Sequence, residues 1–402
     1  MIDSRRRRLV SASMTVGAAA LAGRPAFAQK RYGPGASDTS IRIGQSIAYS
    51  GPASAYGQLG RVEAAYFRQI NDRGGINGRK IDFVSVDDGY SPPKAVEMVR
   101  KLVEQDEVLL IYGNLGTPIN ISIRQYLNAK KVPQIFIAAG SARFADPAQF
   151  PWTIGWHPTL SGEAAFYADS VMKANPGARI GVLFQDDDFG KEMLNSLKDA
   201  LGDKAGAALV RTESFQATDP TIDSQIVALR SAGVDTVMLF AYAKQTSQAI
   251  RKIGDLGWKP EIFIHLGSAS VGATLAPAGL DKSTGVKTAG FIKDPSDPQW
   301  AEDPAIQGFK AFMAKYLPDG KVEDGLNIMG YASARTLEQV LKQCGDDLTR
   351  ENVMRQVANL KDFRLDELLP GSIINTGPTD FRVVEYMKLQ RFNGKVWEFP
   401  SS

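Results

Sequence analysis

The chain has 402 residues, of which 44% are hydrophobic and 23% are charged, with 47 Lys and Arg residues against 44 Asp and Glu residues. This composition indicates a globular protein long enough for two domains, and it excludes a disordered tail, a collagen-like fibre and a coiled coil. The one cysteine, Cys344, excludes an intramolecular disulfide and a multi-cysteine zinc site.

The first 28 residues have the pattern of an export signal. Arg5 to Arg8 form a basic segment, Leu9 to Ala22 form an apolar one, and Ala26-Phe27-Ala28 is a cleavage motif before Gln29. The apolar segment is shorter than the roughly 20 residues that span a bilayer. We therefore expect the signal peptide to be removed and a soluble periplasmic protein to remain. The twin-arginine and Sec routes both stay open, because an arginine replaces the usual aromatic residue of the twin-arginine motif.

The charge balance changes once the signal peptide is set aside. Five arginines and one aspartate precede residue 29, so the remainder has 42 basic and 43 acidic residues. It contains no basic run and no second apolar stretch of membrane-spanning length. The sequence therefore predicts neither a nucleic-acid partner nor membrane insertion after signal removal.

The chain beyond residue 37 alternates strand and helix patterns, and residues 29–37 are expected to be a flexible linker. Strands are predicted at 41–44, 80–86, 108–112 and 134–138, and helices at 59–71, 94–104 and 117–128. After Trp152 the rhythm restarts, with helices at 163–173, 189–201, 222–232 and 244–256 and strands at 179–184, 207–215, 236–240 and 261–265. Helices at 306–316, 328–344 and 351–360 follow, and then a hairpin over 385–399 whose Asn393-Gly394 pair predicts a type I′ turn. The pattern predicts an α/β protein with two doubly wound, parallel-sheet lobes facing each other across a cleft.

Loops after the predicted strands are the candidate ligand-binding positions, because ligands of open α/β sheets bind at the carboxyl ends of strands. In the loop Gly113–Pro118 we expect Thr117 to be the helix N-cap, with free backbone N–H groups suited to a carboxylate. The same loop also fits a tight turn without a ligand. Small residues at Ala138–Ser141 allow close approach of a ligand, and Tyr56 in an earlier loop could cover it.

Most of the remaining acidic, histidine and cysteine side chains that could carry chemistry are expected to have structural roles. Asp186–Asp188 precede a predicted helix. We interpret their carboxylates as groups that stabilise the positive end of the helix dipole rather than as metal ligands. We expect His265 to be structural near the cleft, His157 to be the better candidate for ligand contact, and Cys344 to be buried and inert. No nucleophile-elbow, zincin or phosphate-loop motif occurs, so no enzyme activity, metal or cofactor is predicted.

An ordered set of motifs resembles one family. The set comprises Gly51-Pro52 with Tyr56-Gly57, Asn71 to Gly78, Asp87-Asp88, Gly113 to Asn120, Asp187 to Gly190 and Lys293 to Pro295. It resembles the periplasmic substrate-binding proteins of branched-chain amino acid-type ABC transporters, the leucine/isoleucine/valine-binding group, over almost the whole chain after the signal. The resemblance implies the type I periplasmic binding fold, with three hinge crossovers, a small-molecule solute and the membrane permease of an ABC importer as partners. It implies an N-terminal lobe at 38–156 plus about 292–368 and a C-terminal lobe at 157–291 plus about 369–402.

The resemblance also implies the pocket. The first-loop aromatic residue corresponds to Tyr56, and the carboxylate-binding hydroxyl to Thr117. The further expected ligand contacts are Leu115, Gly116, Ala139, Gly140, Ser141, His157, Phe189, Tyr242 and Ser268.

The chain departs from the family where amino-acid binders hold the ligand's ammonium group with carboxylates. The corresponding segments, Trp156 to Thr159 and Leu266 to Ala269, contain no Asp or Glu. Because an unpaired buried ammonium is costly, we expect a carboxylate solute without an α-amino group. We expect the rest of the solute to be aromatic, because the pocket is expected to contain the aromatic residues Tyr56, Trp156, Phe189 and Tyr242. Two other ligands stay open: an amino acid held by Asp188 or Glu163, and a neutral amide or urea-like solute. The alternative role is a solute-sensing domain for a signalling receptor.

Overall fold

The computed structural model describes residues 30–400, which form two α/β lobes. The strands are β1 (Arg31–Tyr32), β2 (Ser40–Ile47), β3 (Lys80–Asp87), β4 (Leu110–Tyr112), β5 (Gln134–Ile137), β6 (Thr153–Gly155), β7 (Ile180–Gln185), β8 (Leu209–Phe215), β9 (Thr236–Phe240), β10 (Glu261–Ile264), β11 (Lys287–Gly290), β12 (Asp347–Leu348), β13 (Lys388–Phe392) and β14 (Trp397–Glu398). The helices are α1 (Gly57–Asp72), α2 (Pro92–Glu104), α3 (Thr117–Ala129), α4 (Leu160–Ala174), α5 (Asp188–Leu201), α6 (Ala205–Ala208), α7 (Asp223–Ser231), α8 (Ala243–Asp255), α9 (Ala276–Ala278), α10 (Pro304–Tyr316), α11 (Gly325–Cys344) and α12 (Arg350–Val357).

Each lobe is built on one sheet. The N-terminal sheet has the order β3-β2-β4-β5-β6 and is parallel throughout. The C-terminal sheet has the order β14-β13-β11-β10-β9-β7-β8, with parallel pairing except at the antiparallel strands β13 and β14. Strands β4, β5 and β9 are buried along their whole length, as expected where helices cover both faces of a parallel sheet.

The chain passes between the lobes three times. It leaves the N-terminal sheet after β6, and it leaves the C-terminal sheet after β11 for α10 and α11, which pack on α1 of the first lobe through Tyr66, Phe312 and Tyr331. It then returns to the C-terminal sheet at β13. The predicted doubly wound architecture with three crossovers is confirmed, while the residue boundaries of the lobes stay a prediction.

Two local expectations are corrected by the structure. Residues 30–37 are not a free spacer, since β1 pairs with β12 and the hydroxyl of Tyr32 accepts a hydrogen bond from the buried guanidinium of Arg79 at 2.8 Å. The C-terminal hairpin is present, but its turn is not type I′. Gly394 has a φ of 99° whereas Asn393 is not in the left-handed region, and four residues separate the paired Phe392 and Trp397. The side-chain oxygen of Asn393 accepts hydrogen bonds from two following backbone N–H groups, which favours this longer loop.

The predicted signal peptide lies outside the described residues. Between residues 30 and 400, no helix combines the length and the apolar character needed to cross a membrane.

Candidate functional site

A small cavity lies between the lobes, at the carboxyl ends of β4, β5 and β10. Eight of the predicted contact residues line it: Tyr56, Leu115, Thr117, Ala139, Gly140, His157, Phe189 and Tyr242. Leu59, Leu160, His265 and Met329 line it as well. The predicted residues Gly116, Ser141 and Ser268 do not line it, and each is engaged in the surrounding framework.

The start of α3 presents a free hydroxyl to the cavity. The predicted N-cap is wrong by one residue, because Gly116 is the N-cap, with a φ of 91°, and Thr117 is the first helical residue. A Cβ at Gly116 would lie 2.7 Å from the ring of Tyr90, so glycine is required there for space as well as conformation. The hydroxyl of Thr117 is therefore not used as a cap; it is buried and has no hydrogen-bond partner. An unpaired buried hydroxyl is destabilising, so a ligand group that bonds to it gains affinity.

The loop after β5 approaches the second lobe closely. A Cβ at Gly140 would lie 2.2 Å from the carbonyl oxygen of Pro158, which explains why only glycine fits there. Ser141 was expected to bind the ligand, but its hydroxyl donates to Glu192 Oε2 on α5 at 2.6 Å. This residue holds the two lobes together because α5 belongs to the second lobe.

Three aromatic rings close the cavity, two from the second lobe and one from the first. Phe189 stacks on Tyr242 with centroids 4.9 Å apart and an angle of 13°, and Tyr56 packs against Tyr242 at 4.9 Å. Phe189 is fixed by the start of α5, where Asp187 accepts hydrogen bonds from the backbone N–H groups of residues 189 and 190. The carboxylate of Asp187 is thus a helix cap, in agreement with the sequence-based interpretation of Asp186–Asp188.

Tyr56 joins the first lobe to the second. Its hydroxyl lies 3.0 Å from Ser268 Oγ and accepts a hydrogen bond from the backbone N–H of Ala243 at 3.2 Å. The hydroxyl of Ser268 donates to the carbonyl oxygen of Ala241 at 2.8 Å. Ser268, predicted to contact the ligand, is therefore occupied in positioning Tyr56.

Trp156 does not contribute an aromatic wall to the cavity, contrary to expectation. Its ring is buried against Phe291, and Nε1 donates to Thr336 Oγ1 on α11 at 3.0 Å. It is a core residue of the first crossover.

A buried Glu–His pair stands behind the cavity, and sequence reasoning did not assign it. Nδ1 of His265 donates to the carboxylate of Glu163, at 2.9 Å from Oε2 and 3.1 Å from Oε1. Glu163 also accepts hydrogen bonds from the backbone N–H of Leu266 at 2.7 Å and the hydroxyl of Tyr167 at 2.9 Å. Since Nδ1 is committed to the carboxylate, Nε2 is left for the cavity side, where it adjoins Gly267. The position of Glu163 one turn into a helix, 102 residues before the histidine, gave no local signal of the pair.

The electrostatics of the cavity follow from this arrangement. Burial, with a smaller effect from the nearby His265, lowers the pKa of His157 to about 3, so His157 is neutral at physiological pH. Burial raises the pKa of Tyr56 and Tyr242 well above the usual range of tyrosine. Among residues 30–400, no Asp, Glu, Lys or Arg side chain lines the cavity. The polar groups that face a ligand are hydroxyl and imidazole groups.

The two carboxylates considered as ammonium ligands are engaged elsewhere. Asp188 pairs with Arg143 at 3.2 Å, and both side chains are more than 40% exposed. Glu163 is buried behind His265 and does not line the cavity. Within the described part of the chain, no group of three or more His, Cys, Asp or Glu residues could hold a metal ion.

Comparison with known proteins identifies the family. The sequence profile of the family described as "Periplasmic binding protein" matches residues 40–395. The chain belongs to this family. It is 24% identical over 355 residues to Leu/Ile/Val-binding protein homolog 1 of Brucella abortus, which covers 85% of this chain and 91% of that protein. The predicted resemblance to leucine/isoleucine/valine-binding proteins is therefore confirmed.

Two solved structures show how closely this binding protein follows the family fold. A branched-chain amino acid ABC transporter protein from Thermus thermophilus, with bound valine, superposes with a TM-score of 0.82 at 15% identity, covering 91% of this chain and 97% of that one. A fatty acid ABC transporter substrate-binding protein from Thermomonospora curvata gives a TM-score of 0.77 at 24% identity, covering 92% and 93%. The type I periplasmic binding fold is thereby confirmed.

Proposed function

We propose that this periplasmic binding protein captures a small carboxylate that lacks an α-amino group and delivers it to the permease of an ABC importer. The observation that carries the proposal is the lining of the cavity between the lobes. Across residues 30–400, that lining contains an unpaired hydroxyl, two imidazoles and three aromatic rings but no carboxylate.

The absence of a lining carboxylate among residues 30–400 supports a ligand without an ammonium group. A charged ammonium removed from water without a partner costs several kcal/mol. Glu163 does not relieve this cost, because its oxygens already accept hydrogen bonds from His265, Leu266 and Tyr167. An ammonium would have to displace these donors from a fully buried carboxylate.

The first lobe supplies the groups that favour a carboxylate. The Thr117 hydroxyl lies at the N-terminus of a 13-residue helix, where backbone N–H groups and the helix dipole attract an anion. His265 lines the cavity from the second lobe, with Glu163 holding the imidazole orientation. With Nδ1–H donating to Glu163, Nε2 donates to a carboxylate oxygen in the doubly protonated ring, which then bridges the two carboxylates. A ligand bridging Thr117 and His265 favours the closed arrangement, because these groups come from different lobes.

The relatives do not select the ligand by themselves. One structure of this fold was solved with valine, and another belongs to a fatty acid ABC transporter. The same architecture thus serves proteins named for different solutes, and the side chains of each cavity must make the choice. The lining of the present cavity favours a carboxylate with an apolar or aromatic body.

The remaining expectations form part of the proposal. Export to the periplasm is supported by the basic, apolar and A-x-A order of residues 1–28. A role without catalysis is also proposed, and it is supported by the periplasmic binding protein family to which the chain belongs.

A thermal-shift panel tests the proposal. Aliphatic and aromatic monocarboxylates are expected to raise the melting temperature, because a ligand that binds only the folded state stabilises it by mass action. Amino acids of the same skeleton are expected to have little effect. If leucine or valine stabilises the protein and the carboxylates do not, the proposed ligand class is wrong and an amino acid takes its place.

A further inference from the structure

A second cavity, larger than the first, lies beside it at the hinge. We call it the hinge cavity. It is formed by the segment after β10, the end of β11 and the crossover that follows it, and the first turns of α11. Its walls are largely apolar and include Leu266, Val271, Ala289, Phe291, Ile328 and Trp397.

The two cavities share a thin wall. Gly267 and Met329 line both of them. Gly267 contributes only backbone, and a Cβ there would lie 2.7 Å from His265 Nε2. Met329 contributes an unbranched thioether chain that changes rotamer readily and adapts to the shape of a neighbour. The two cavities thus adjoin at one backbone segment and one flexible side chain.

We propose that the hinge cavity is a subsite for the apolar tail of the ligand, so that the preferred solute is an elongated monocarboxylate that passes Met329. This inference rests on the proposed function, since the carboxylate head is placed between Thr117 and His265. The tail then leaves the aromatic cluster and enters the apolar space between β11 and α11.

The charged part of the hinge cavity lining disfavours a second anionic group. Asp294 and Glu323 line it, and Asp294 Oδ2 is buried without a hydrogen-bond partner. Among residues 30–400, Lys293 is the one cationic residue that lines this cavity. Its ammonium group lies 2.5 Å from a carboxylate oxygen of Asp303. A dicarboxylate of the same length would bring its second carboxylate towards Asp294 and Glu323. The structure therefore selects monocarboxylates over dicarboxylates.

Calorimetric titration of the purified protein with butanoate, hexanoate, octanoate and octanedioate tests the inference. Each added methylene that enters an apolar cavity is expected to tighten binding about three- to fourfold. Octanoate should therefore bind at least 50-fold tighter than butanoate by this order-of-magnitude scaling, and much tighter than octanedioate. Equal affinities of butanoate and octanoate would overturn the inference.

A cavity-filling variant locates the effect. Ala269 lines the hinge cavity and is half-buried, and it does not line the first cavity. Ala269→Leu is expected to remove most of the gain from butanoate to octanoate and to leave butanoate binding unchanged. Ala232→Leu, at a half-buried position at the end of α7, is the matched control and should keep the wild-type gain. A full gain in the Ala269→Leu variant would place the tail elsewhere and refute the subsite.

The outcomes separate this inference from the proposed function. Binding of butanoate or benzoate without any dependence on chain length removes the tail subsite and leaves the carboxylate pole in place. Binding of leucine or valine with no response to any monocarboxylate removes both. Should Ala269→Leu fail to fold, the wild-type comparison of octanoate with butanoate and octanedioate still decides.

Discussion

Glu192 is predicted to control ligand affinity without touching the ligand. It lies on α5 of the second lobe, and its carboxylate receives three groups from the loop after β5 in the first lobe. Ser141 Oγ lies 2.6 Å from it, the backbone N–H of Ala142 lies 2.8 Å from it, and Arg143 Nη2 lies 3.2 Å from it. Glu192 does not line the ligand cavity. These contacts join the two lobes, so they are made in the closed arrangement and are lost when the lobes separate. Glu192→Ala should therefore favour the open arrangement.

The size of the effect follows from the exposure of these contacts. Hydrogen bonds to a charged group contribute about 1.5–3 kcal/mol when buried. The side chain of Glu192 is 15% exposed, whereas that of Arg143 is 41% exposed, so the ion pair adds little. Because an open cleft lets water solvate all partners, we take about 2 kcal/mol for the three contacts together. That corresponds to an affinity about 30-fold weaker.

Calorimetry with two ligands of different size measures this effect. A loss that acts through closure must be the same for both ligands, since the variant changes the population of the closed state and not the cavity. Asp199→Ala, an exposed acidic residue near the other end of α5, is the matched control and should bind as wild type. An affinity of Glu192→Ala within twofold of wild type, or a loss that differs between ligands, refutes the reasoning.

Three further predictions concern binding, stability and reactivity. Thr117→Ala should weaken carboxylate binding by about 1–3 kcal/mol in calorimetry, as expected for loss of a charge-assisted hydrogen bond; unchanged affinity would show that the carboxylate lies elsewhere. Burial raises the pKa of Glu63 to about 8 from an ordinary 4.5, so the native state binds the proton more strongly than the unfolded state. The resulting stability is present below pH 4.5 and is lost as the pH rises towards 8, with a slope of up to about 1.4 kcal/mol per pH unit. Urea denaturation of Glu63→Gln should show a flatter decline over this range, and parallel curves for variant and wild type would contradict the assignment. Cys344 should resist iodoacetamide at pH 8 in the native protein and react after denaturation, because burial raises the pKa of its thiol to about 12; fast native labelling would show that the helix face is open.

The helices and the longer strands could be predicted from the sequence. Every predicted helix and strand is present, with ends shifted by a few residues, because the apolar periodicity of helices such as α1 and the continuous apolar runs of β4 and β9 are strong local signals. Strands β1, β6, β11 and β12 were missed. They have two to four residues each, and their pairing depends on neighbours distant in the sequence.

The candidate site could be predicted in position but not in its hydrogen bonding. The loops after β4 and β5 were found because strand ends mark the cleft. The roles of Ser141 and Ser268 were misassigned, because their partners, Glu192 and Tyr56, lie in the opposite lobe. Only the closed arrangement of both lobes shows that these hydroxyls are already engaged.

The pairing of Glu163 with His265 shows the same limit more strongly. A carboxylate near the pocket was considered as an ammonium ligand on sequence grounds. In the structure its oxygens accept from an imidazole, a backbone N–H and a tyrosine hydroxyl. Whether a buried carboxylate faces a ligand or another side chain depends on packing between residues about 100 positions apart, which no local pattern encodes.

The most direct test of the central claim compares ligands that differ by one group. Leucine and 4-methylpentanoate share a carboxylate and a branched apolar chain, and they differ only in the α-amino group. Calorimetric titration of the purified protein should show 4-methylpentanoate binding on the order of 100-fold tighter or more, because the cavity offers the ammonium no carboxylate partner. Tighter binding of leucine would contradict the account and would require Glu163 or another carboxylate to turn towards the ligand.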